Sequence, residues 1–166
     1  MPRPRTLNLL IFIATLGLMG VALFMQHVWG LTPCYLCIVQ RLFVILTGLI
    51  ALVAYIHNPG SKGLRLYGTA TCVSALSGAG FSSRQLWLQS LPEDLVPACG
   101  PPADYIFDAL PLVEALSMLI RGDGNCAEVQ WSLFGISIPG YTLIAFAGLA
   151  LLGGLQALRR APPGAH

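Results

Sequence analysis

The chain has 166 residues, 55% of them hydrophobic and only 10% charged, where an ordinary soluble domain carries about 25% charged residues. That composition points to a single compact membrane protein and excludes an ordinary water-soluble domain. The net charge of +2 says little, but its distribution is informative: all 7 acidic residues lie between positions 90 and 130, while basic residues sit at Arg3 and Arg5, at Lys62 and Arg65, and at Arg159 and Arg160.

The first expected element runs from Leu7 to about Trp29 and is apolar over most of its length. At about 1.5 Å rise per residue it crosses a hydrocarbon layer of roughly 30 Å. Basic residues precede it, as in a signal peptide, but the run exceeds a signal core of about 7–15 residues and no small-x-small site closes it. It is therefore expected to remain as a first transmembrane helix. Gln26 and His27 are polar at interface depth, and Trp29 fits the aromatic belt at a membrane boundary.

Next comes Thr32-Pro33-Cys34-Tyr35-Leu36-Cys37-Ile38-Val39-Gln40-Arg41. Pro33 suits the first position of a helix and Thr32 can cap it from in front. Cys34 and Cys37 then fall one turn apart, with Arg41 following on the same side. A helix N-terminus and a nearby guanidinium both favour thiolate over thiol, which is the setting of a reactive dithiol or disulfide. An inert structural disulfide or half of a metal site would show the same spacing.

The second span is expected over 36–56, followed by a turn at 57–63 rich in turn-forming residues. The third, over 64–88, is the weakest, carrying Thr69, Thr71, Ser74, Ser77, Gly78, Gly80, Ser82 and Ser83. Small and hydroxylated residues at this density suit a helix packed closely against neighbours in lipid. Cys72, mid-span, reads as a small packing residue. Residues 89–137 form a long loop rich in proline and acid, and the fourth span covers 138–158, stopped by Arg159-Arg160 ahead of a frayed tail.

Two further cysteines lie in the long loop, Cys99 in the rigid Pro97-Ala98-Cys99-Gly100-Pro101-Pro102 and Cys126 in the flexible Gly122-Asp123-Gly124-Asn125-Cys126. Paired, they would close a loop worth roughly 3–4 kcal/mol. Such a bond can simply tether the loop, or, exposed and flanked by glycine and proline, exchange readily. Two disulfides on one face, one at the membrane surface and one in a loop, suggest a relay. Between these cysteines, Ile106, Phe107, Leu110, Leu112, Val113, Leu116, Leu119 and Ile120 form an apolar stripe with Asp108, Glu114 and Ser117 off it. The stripe is too short to span; it suits a short helix in the membrane interface or one packed on the bundle.

Four spans place both termini on one side, and the basic tails and turn make that side cytoplasmic. The Cys34/Cys37 turn and the acidic loop then face outward, which in a bacterium is the oxidising periplasm. No nucleotide-binding loop, zinc signature, internal repeat or nucleic-acid patch is present, so no metal and no nucleic-acid partner is expected.

The motifs in their order resemble the disulfide bond formation protein B (DsbB) family of bacterial inner-membrane thiol:quinone oxidoreductases. The matching pieces are Gln26-His27-Val28, Pro33-Cys34-x-x-Cys37-Ile38-x-Gln40-Arg41, Trp87-Leu88-Gln89 leading to Pro97-Ala98-Cys99-Gly100, and Gly122-Asp123-Gly124-x-Cys126-Ala127-Glu128-x-Gln130-Trp131 running into Gly135 and Ile138-Pro139-Gly140. The resemblance implies an all-α, four-transmembrane-helix bundle with a long periplasmic loop. It implies catalysis by Cys34, Cys37, Cys99 and Cys126. A reduced DsbA-like periplasmic thiol oxidase would attack a Cys99–Cys126 disulfide at Cys99, and electrons would pass to Cys34–Cys37. A membrane quinone, ubiquinone or menaquinone, would accept them beside Cys37, with Arg41 stabilising charge on its oxygen. The redox direction comes from the family's place in keeping the periplasm oxidising. Part of the family has an acidic residue where this chain has Gln40, so Gln40 carries no proton-handling role. A histidine that one member places after the third helix has no counterpart here, and Gln85 and Gln89 lie in that region. Arg84 reads as a cation snorkelling to headgroups.

Such a partner is a strong oxidant near about −120 mV, while ordinary structural disulfides lie below about −300 mV. The pairs in this chain must therefore be strained or thiolate-stabilised. Two other readings make different predictions. A scaffold with two structural disulfides would lose stability rather than turnover when its cysteines change. A metal or haem carrier would use cysteine and His27, although no histidine follows Cys37 as covalent haem attachment requires.

Overall fold

A computed structural model of the chain describes residues 3–101, 105 and 111–158. The expected stop at Arg159-Arg160, the tail beyond it, Pro102, and the stripe residues Ile106, Phe107, Asp108 and Leu110 lie outside the described residues. Among the described residues there are helices α1 (Pro4–His27), α2 (Tyr35–His57), α3 (Ser61–Gln89), α4 (Leu112–Arg121) and α5 (Ile138–Leu158), with 3₁₀ turns at Glu93–Leu95 and Gly124–Cys126.

Three of these helices, α1, α2 and α5, are long and apolar enough to cross a membrane, with mean hydropathies of 2.3, 2.4 and 1.7. Helix α3 has 29 residues, about 43 Å of helix, but is too polar to mark itself as a span in the same way. Its polar and small residues are spent on its neighbours. Ser74 Oγ lies 2.9 Å from Thr47 Oγ1 of α2, and Ser82 Oγ lies 3.1 Å from Thr142 Oγ1 of α5. A Cβ on Gly68 would sit 2.6 Å from the backbone nitrogen of Ala157, and one on Gly78 would enter the Phe146 ring. Close backbone approach through small residues is how helices associate when lipid removes the hydrophobic drive. Cys72 sits at the same α3–α5 crossing, half-buried beside Gly153 and Gly154.

Asn58, in the left-handed conformation at φ 41°, ends α2 and accounts for the expected turn. Three helix starts differ from expectation, α1 beginning at Pro4 rather than Leu7. Helix α3 begins at Ser61 rather than Leu64. Helix α2 begins at Tyr35, with extended Cys34 in the cap position, so Pro33 precedes the helix instead of opening it and no side chain caps it. The extended Cys34 backbone turns its thiol into the buried end of the bundle.

The long loop is more structured than its composition implies. It carries an antiparallel hairpin, β1 (Ser132–Leu133) and β2 (Ile136–Ser137), which pairs Ser132 with Ser137 and Leu133 with Ile136. Phe134 and Gly135 at its tip have φ of 52° and 78°, the double left-handed turn whose twist matches a tight hairpin. The Tyr141 hydroxyl donates to the Leu133 carbonyl at 2.9 Å. Trp131 lies 6.0 Å from Trp29 and 6.1 Å from Tyr141 between ring centres, so aromatic contact joins the end of α1 to the start of α5. Helix α4 lays Ala115 and Leu119 into a buried cluster with Tyr35, Leu36, Val39 and Leu88, and leaves Leu112, Val113, Leu116 and Ile120 exposed.

Candidate active site

Cys34 and Cys37 meet at the start of α2 with their sulfurs 2.9 Å apart. Cys34 is buried and Cys37 half-buried. The amide of Gln85 from α3 reaches both: its Nε2 donates to Cys34 Sγ at 3.3 Å and to Cys37 Sγ at 3.4 Å.

The loop brings a third sulfur to this point. Cys126 is completely buried and belongs to the same cluster as Cys34 and Leu36. A carboxylate and a glycine fix its segment. Asp123 accepts from the backbone N–H of Gly100 at 2.8 Å and from Asn125 Nδ2 at 2.6 Å, while the Cys126 thiol lies 3.4 Å from its other oxygen. Gly124 leaves room for the neighbouring strand of loop, since a Cβ there would lie 2.5 Å from the Pro97 carbonyl oxygen and 3.0 Å from Cys99 Sγ. The Tyr35 hydroxyl donates to the carbonyl of Pro101, tying the Cys99 turn to the start of α2. Cys99 itself is exposed.

All five cysteines are free thiols in this arrangement. Cys34, Cys37 and Cys126 are grouped, and Cys99 stands outside the group, beside the Gly124 turn and open to solvent. The hydrogen bond with Cys34 is the largest influence on Cys126 and lowers its pKa below the ordinary thiol value, against the opposing effect of burial. Cys34 is pushed the other way by its hydrogen bonds with Cys126 and Cys37 and by burial. The two sulfurs are thus pushed in opposite directions, Cys126 toward the thiolate and Cys34 toward the thiol.

Cys37 lines a cavity of about 100 Å³ with Gln26, Leu31, Pro33, Arg41, Ile138 and Thr142 among others, and shares a second, smaller one with Cys34, Gln85 and Asn125. Arg41 donates to Gln26 Oε1 and, at 3.3 Å, to the Ala22 carbonyl. Two of its five N–H groups are thereby used, holding the guanidinium in the cavity wall. Met25, Ala22, Ile138 and Thr142 also line a wider apolar groove of about 630 Å³ between α1 and α5. A cation at one end of an apolar slot suits a molecule with a polar head and a hydrocarbon body.

Cys34, Cys37 and Cys126 are thus brought together with Arg41 nearby and Cys99 outside, while sequence reasoning gave Gln40 and Gln85 no role in the site. Gln85, Gln40 and Thr142 form a buried connection across α2, α3 and α5. The available signal was polarity inside apolar spans, where an amide is expensive unless paired. Two other polar residues have local roles: His27 bonds the Leu23 carbonyl at 2.9 Å. Arg84 donates to the Arg121 carbonyl at 3.0 Å and lies over the Trp87 ring.

Comparison with known proteins places nearly the whole chain beside one family. The family model described as "Disulfide bond formation protein DsbB" matches residues 4–156. "Disulfide bond formation protein B" of Saccharophagus degradans is 53% identical over 161 residues, covering 97% of each chain. The protein of the same description from Hahella chejuensis is 48% identical over 94% of each chain. "Disulfide bond formation protein B 1" of Pseudomonas aeruginosa is 45% identical over 95% of this chain and 97% of its own.

Proposed function

The chain belongs to the DsbB family of membrane proteins that act in disulfide bond formation, and from that premise we propose that it oxidises a DsbA-like periplasmic thiol oxidase and passes the electrons to a membrane quinone. The observation that carries this reading is the burial of Cys126 against Cys34, in a turn that packs beside the segment carrying the solvent-exposed Cys99.

In the resting enzyme Cys99 is bonded to Cys126 and Cys34 to Cys37. The partner's thiolate attacks Cys99 Sγ, forms a mixed disulfide and expels Cys126 as thiolate. Cys126 then attacks Cys34, and the electron pair of the broken bond goes to Cys37 Sγ. The partner's second thiol attacks its own mixed disulfide and leaves oxidised. Cys99, released, attacks Cys126, restoring the loop disulfide and leaving Cys34 reduced. Two electrons and two protons have then moved from the partner's thiols to the Cys34/Cys37 pair.

The residues around Cys37 fit a quinone: a guanidinium faces an apolar cavity that adjoins a lipid-side groove. A quinone bound there supplies the two-electron, two-proton acceptor that returns Cys34 and Cys37 to the disulfide. Arg41, whose guanidinium is oriented by Gln26, would hold and polarise such a head group by a charge-assisted hydrogen bond. The α1–α5 groove takes the hydrocarbon portion.

This function asks for α3 to act as a fourth span beside α1, α2 and α5, supported by its length and its packing on α2 and α5. The N-terminus and the turn at residues 57–63 then lie in the cytoplasm and the loop in the periplasm. The exposed apolar side of α4 rests in the outer membrane–water interface.

The test follows quinone absorbance with purified protein and a reduced DsbA-type oxidase. Wild type turns over, and Cys34→Ser and Cys99→Ser stop. Turnover persisting without Cys99 overturns the two-disulfide relay. A wild type inert toward every quinone and thiol oxidase overturns the activity.

A further inference from the structure

Gln85 is 4% exposed and Gln40 4% exposed, so neither amide can look to water for partners. Their bonds form one directed chain. The Thr142 hydroxyl donates to Gln40 Oε1 at 2.7 Å, Gln40 Nε2 donates to Gln85 Oε1 at 2.8 Å, and Gln85 Nε2 donates to the two sulfurs. Ser82 Oγ lies 3.1 Å from the Thr142 hydroxyl, at the far end of the chain from the thiols. A carbonyl oxygen only accepts. The Thr142 hydroxyl has the Pro139 carbonyl as a second acceptor at 3.0 Å, and with its proton on the nearer Gln40 Oε1, Gln40 offers its NH₂ to Gln85 and Gln85 turns its own NH₂ to the cysteines. Cys37 Sγ lies farther, 3.7 Å, from Gln85 Oε1.

We propose that Gln85 is a catalytic hydrogen-bond donor to the Cys34/Cys37 pair, and that Gln40, Thr142 and Ser82 are positioning residues that fix its NH₂ toward the sulfurs. The inference rests on the relay proposed above and supplies what that relay needs chemically. When Cys126 attacks Cys34, the Cys34–Cys37 bond breaks and its electron pair stays on Cys37 Sγ. No proton is transferred in that step. A neutral N–H aimed at the sulfur stabilises the anion. Arg41 approaches the same sulfur's surroundings from the cavity side, while Gln85 approaches from α3 and also covers Cys34. Favouring the reduced pair raises its reduction potential, the route by which a dithiol becomes an oxidant. A hydrocarbon at position 85 would leave the sulfur without that partner, and a carboxylate would repel the thiolate.

The test needs neither quinone nor partner oxidase. Full-length protein in micelles is equilibrated in thiol/disulfide buffers and quenched by alkylation, and the peptide carrying Cys34 and Cys37 is read by mass. In Gln85→Leu the equilibrium is expected to move about tenfold toward the disulfide, a potential lower by about 30 mV. Thr142→Val is expected to move it the same way by a smaller factor, because the amide chain loses its anchor. Gln85→His, which keeps an N–H donor, is expected to lie between wild type and Gln85→Leu. Ser74→Ala, which breaks a buried pair on the same helix away from the thiols, is the structural control and leaves the potential unchanged. An unchanged potential in Gln85→Leu, or in Thr142→Val where the first variant does not fold, overturns the donor role. So does an equal shift in Ser74→Ala. A wild-type pair that does not titrate at all removes the relay itself, and this inference with it.

Discussion

Cys34 and Cys37 are one helical turn apart and look onto different surroundings. Cys34 is buried beneath the loop, beside Cys126, in a cluster closed by Leu36, Leu88, Ala115 and Leu119. Cys37 is half-buried and lines a cavity with Arg41, Gln26 and Met25 that adjoins an apolar groove between α1 and α5. In the proposed function the first sulfur receives electrons from the loop and the second passes them to the lipid side. The turn of helix between them separates two chemistries that must exchange electrons without exchanging substrates. Each prediction below removes one side and leaves the other.

The largest effect is expected at the join. Cys126→Ser removes the loop sulfur that packs in one cluster with Cys34, so turnover with a reduced thiol oxidase falls to background. No mixed disulfide with the reduced oxidase builds up on non-reducing gels, since Cys99 without Cys126 offers no disulfide for its thiolate to attack. A variant that keeps turning over at the wild-type rate breaks the division between the two sulfurs.

Arg41→Ala acts on the Cys37 side alone. A hydrogen bond from a charged donor is worth about 1.5–3 kcal/mol, so the KM for quinone is expected to rise by about 10- to 100-fold. Both disulfides still form in redox buffer, because no loop contact passes through Arg41. Unchanged apparent quinone affinity would remove the role assigned to the guanidinium.

Gly124→Ala acts on the Cys34 side. The new Cβ meets the Pro97 carbonyl oxygen at 2.5 Å, and such overpacking costs about 1–3 kcal/mol when backbone must move. The Cys99 turn is pushed off the Cys126 turn, slowing reaction with the thiol oxidase by about tenfold or more while leaving the quinone KM as it was. Kinetics in both substrates, fitted separately, check the split.

The same division decides what was legible in the sequence. The Cys34/Cys37 spacing and Arg41 are local: helical period alone puts them on one side, and the structure has Cys37 and Arg41 lining one cavity. The apolar runs of α1, α2 and α5 are likewise local. Gln85 was not legible, because its meaning depends on α3 docking at the one rotation that turns position 85 onto α2. The approach of Cys126 to Cys34 depends on Asp123 gathering Gly100 and Asn125, contacts that join loop segments far apart in sequence. The Phe134-Gly135 hairpin escaped because a phenylalanine at positive φ runs against residue preference. The start of α2 shifted for a tertiary reason too: Tyr35 bonds the Pro101 carbonyl and Cys34 extends inward, overriding the proline signal at 33.

The smallest and most specific effect is in thiol ionisation on the Cys34 side. In the fully reduced protein the hydrogen bond between Cys34 and Cys126 lowers the pKa of Cys126 and raises that of Cys34. A group whose pKa is lowered is charged at pH values where an ordinary thiol is still protonated, so on raising the pH Cys126 ionises first and Cys34 holds its proton longest. Both sulfurs are buried, which makes chemical labelling a poor readout, whereas the ¹³Cβ resonances of labelled cysteine titrate regardless of access. The Cys126 resonance is expected to titrate below the ordinary thiol midpoint and the Cys34 resonance above it. Cys34→Ala takes away the donor, and the Cys126 midpoint should rise, because burial then acts unopposed by its largest countering bond. A midpoint unmoved in that variant would mean that the nucleophile of the inner exchange is not prepared by the sulfur it attacks. The polarity of the relay would then have to come from the Asp123 side of the loop.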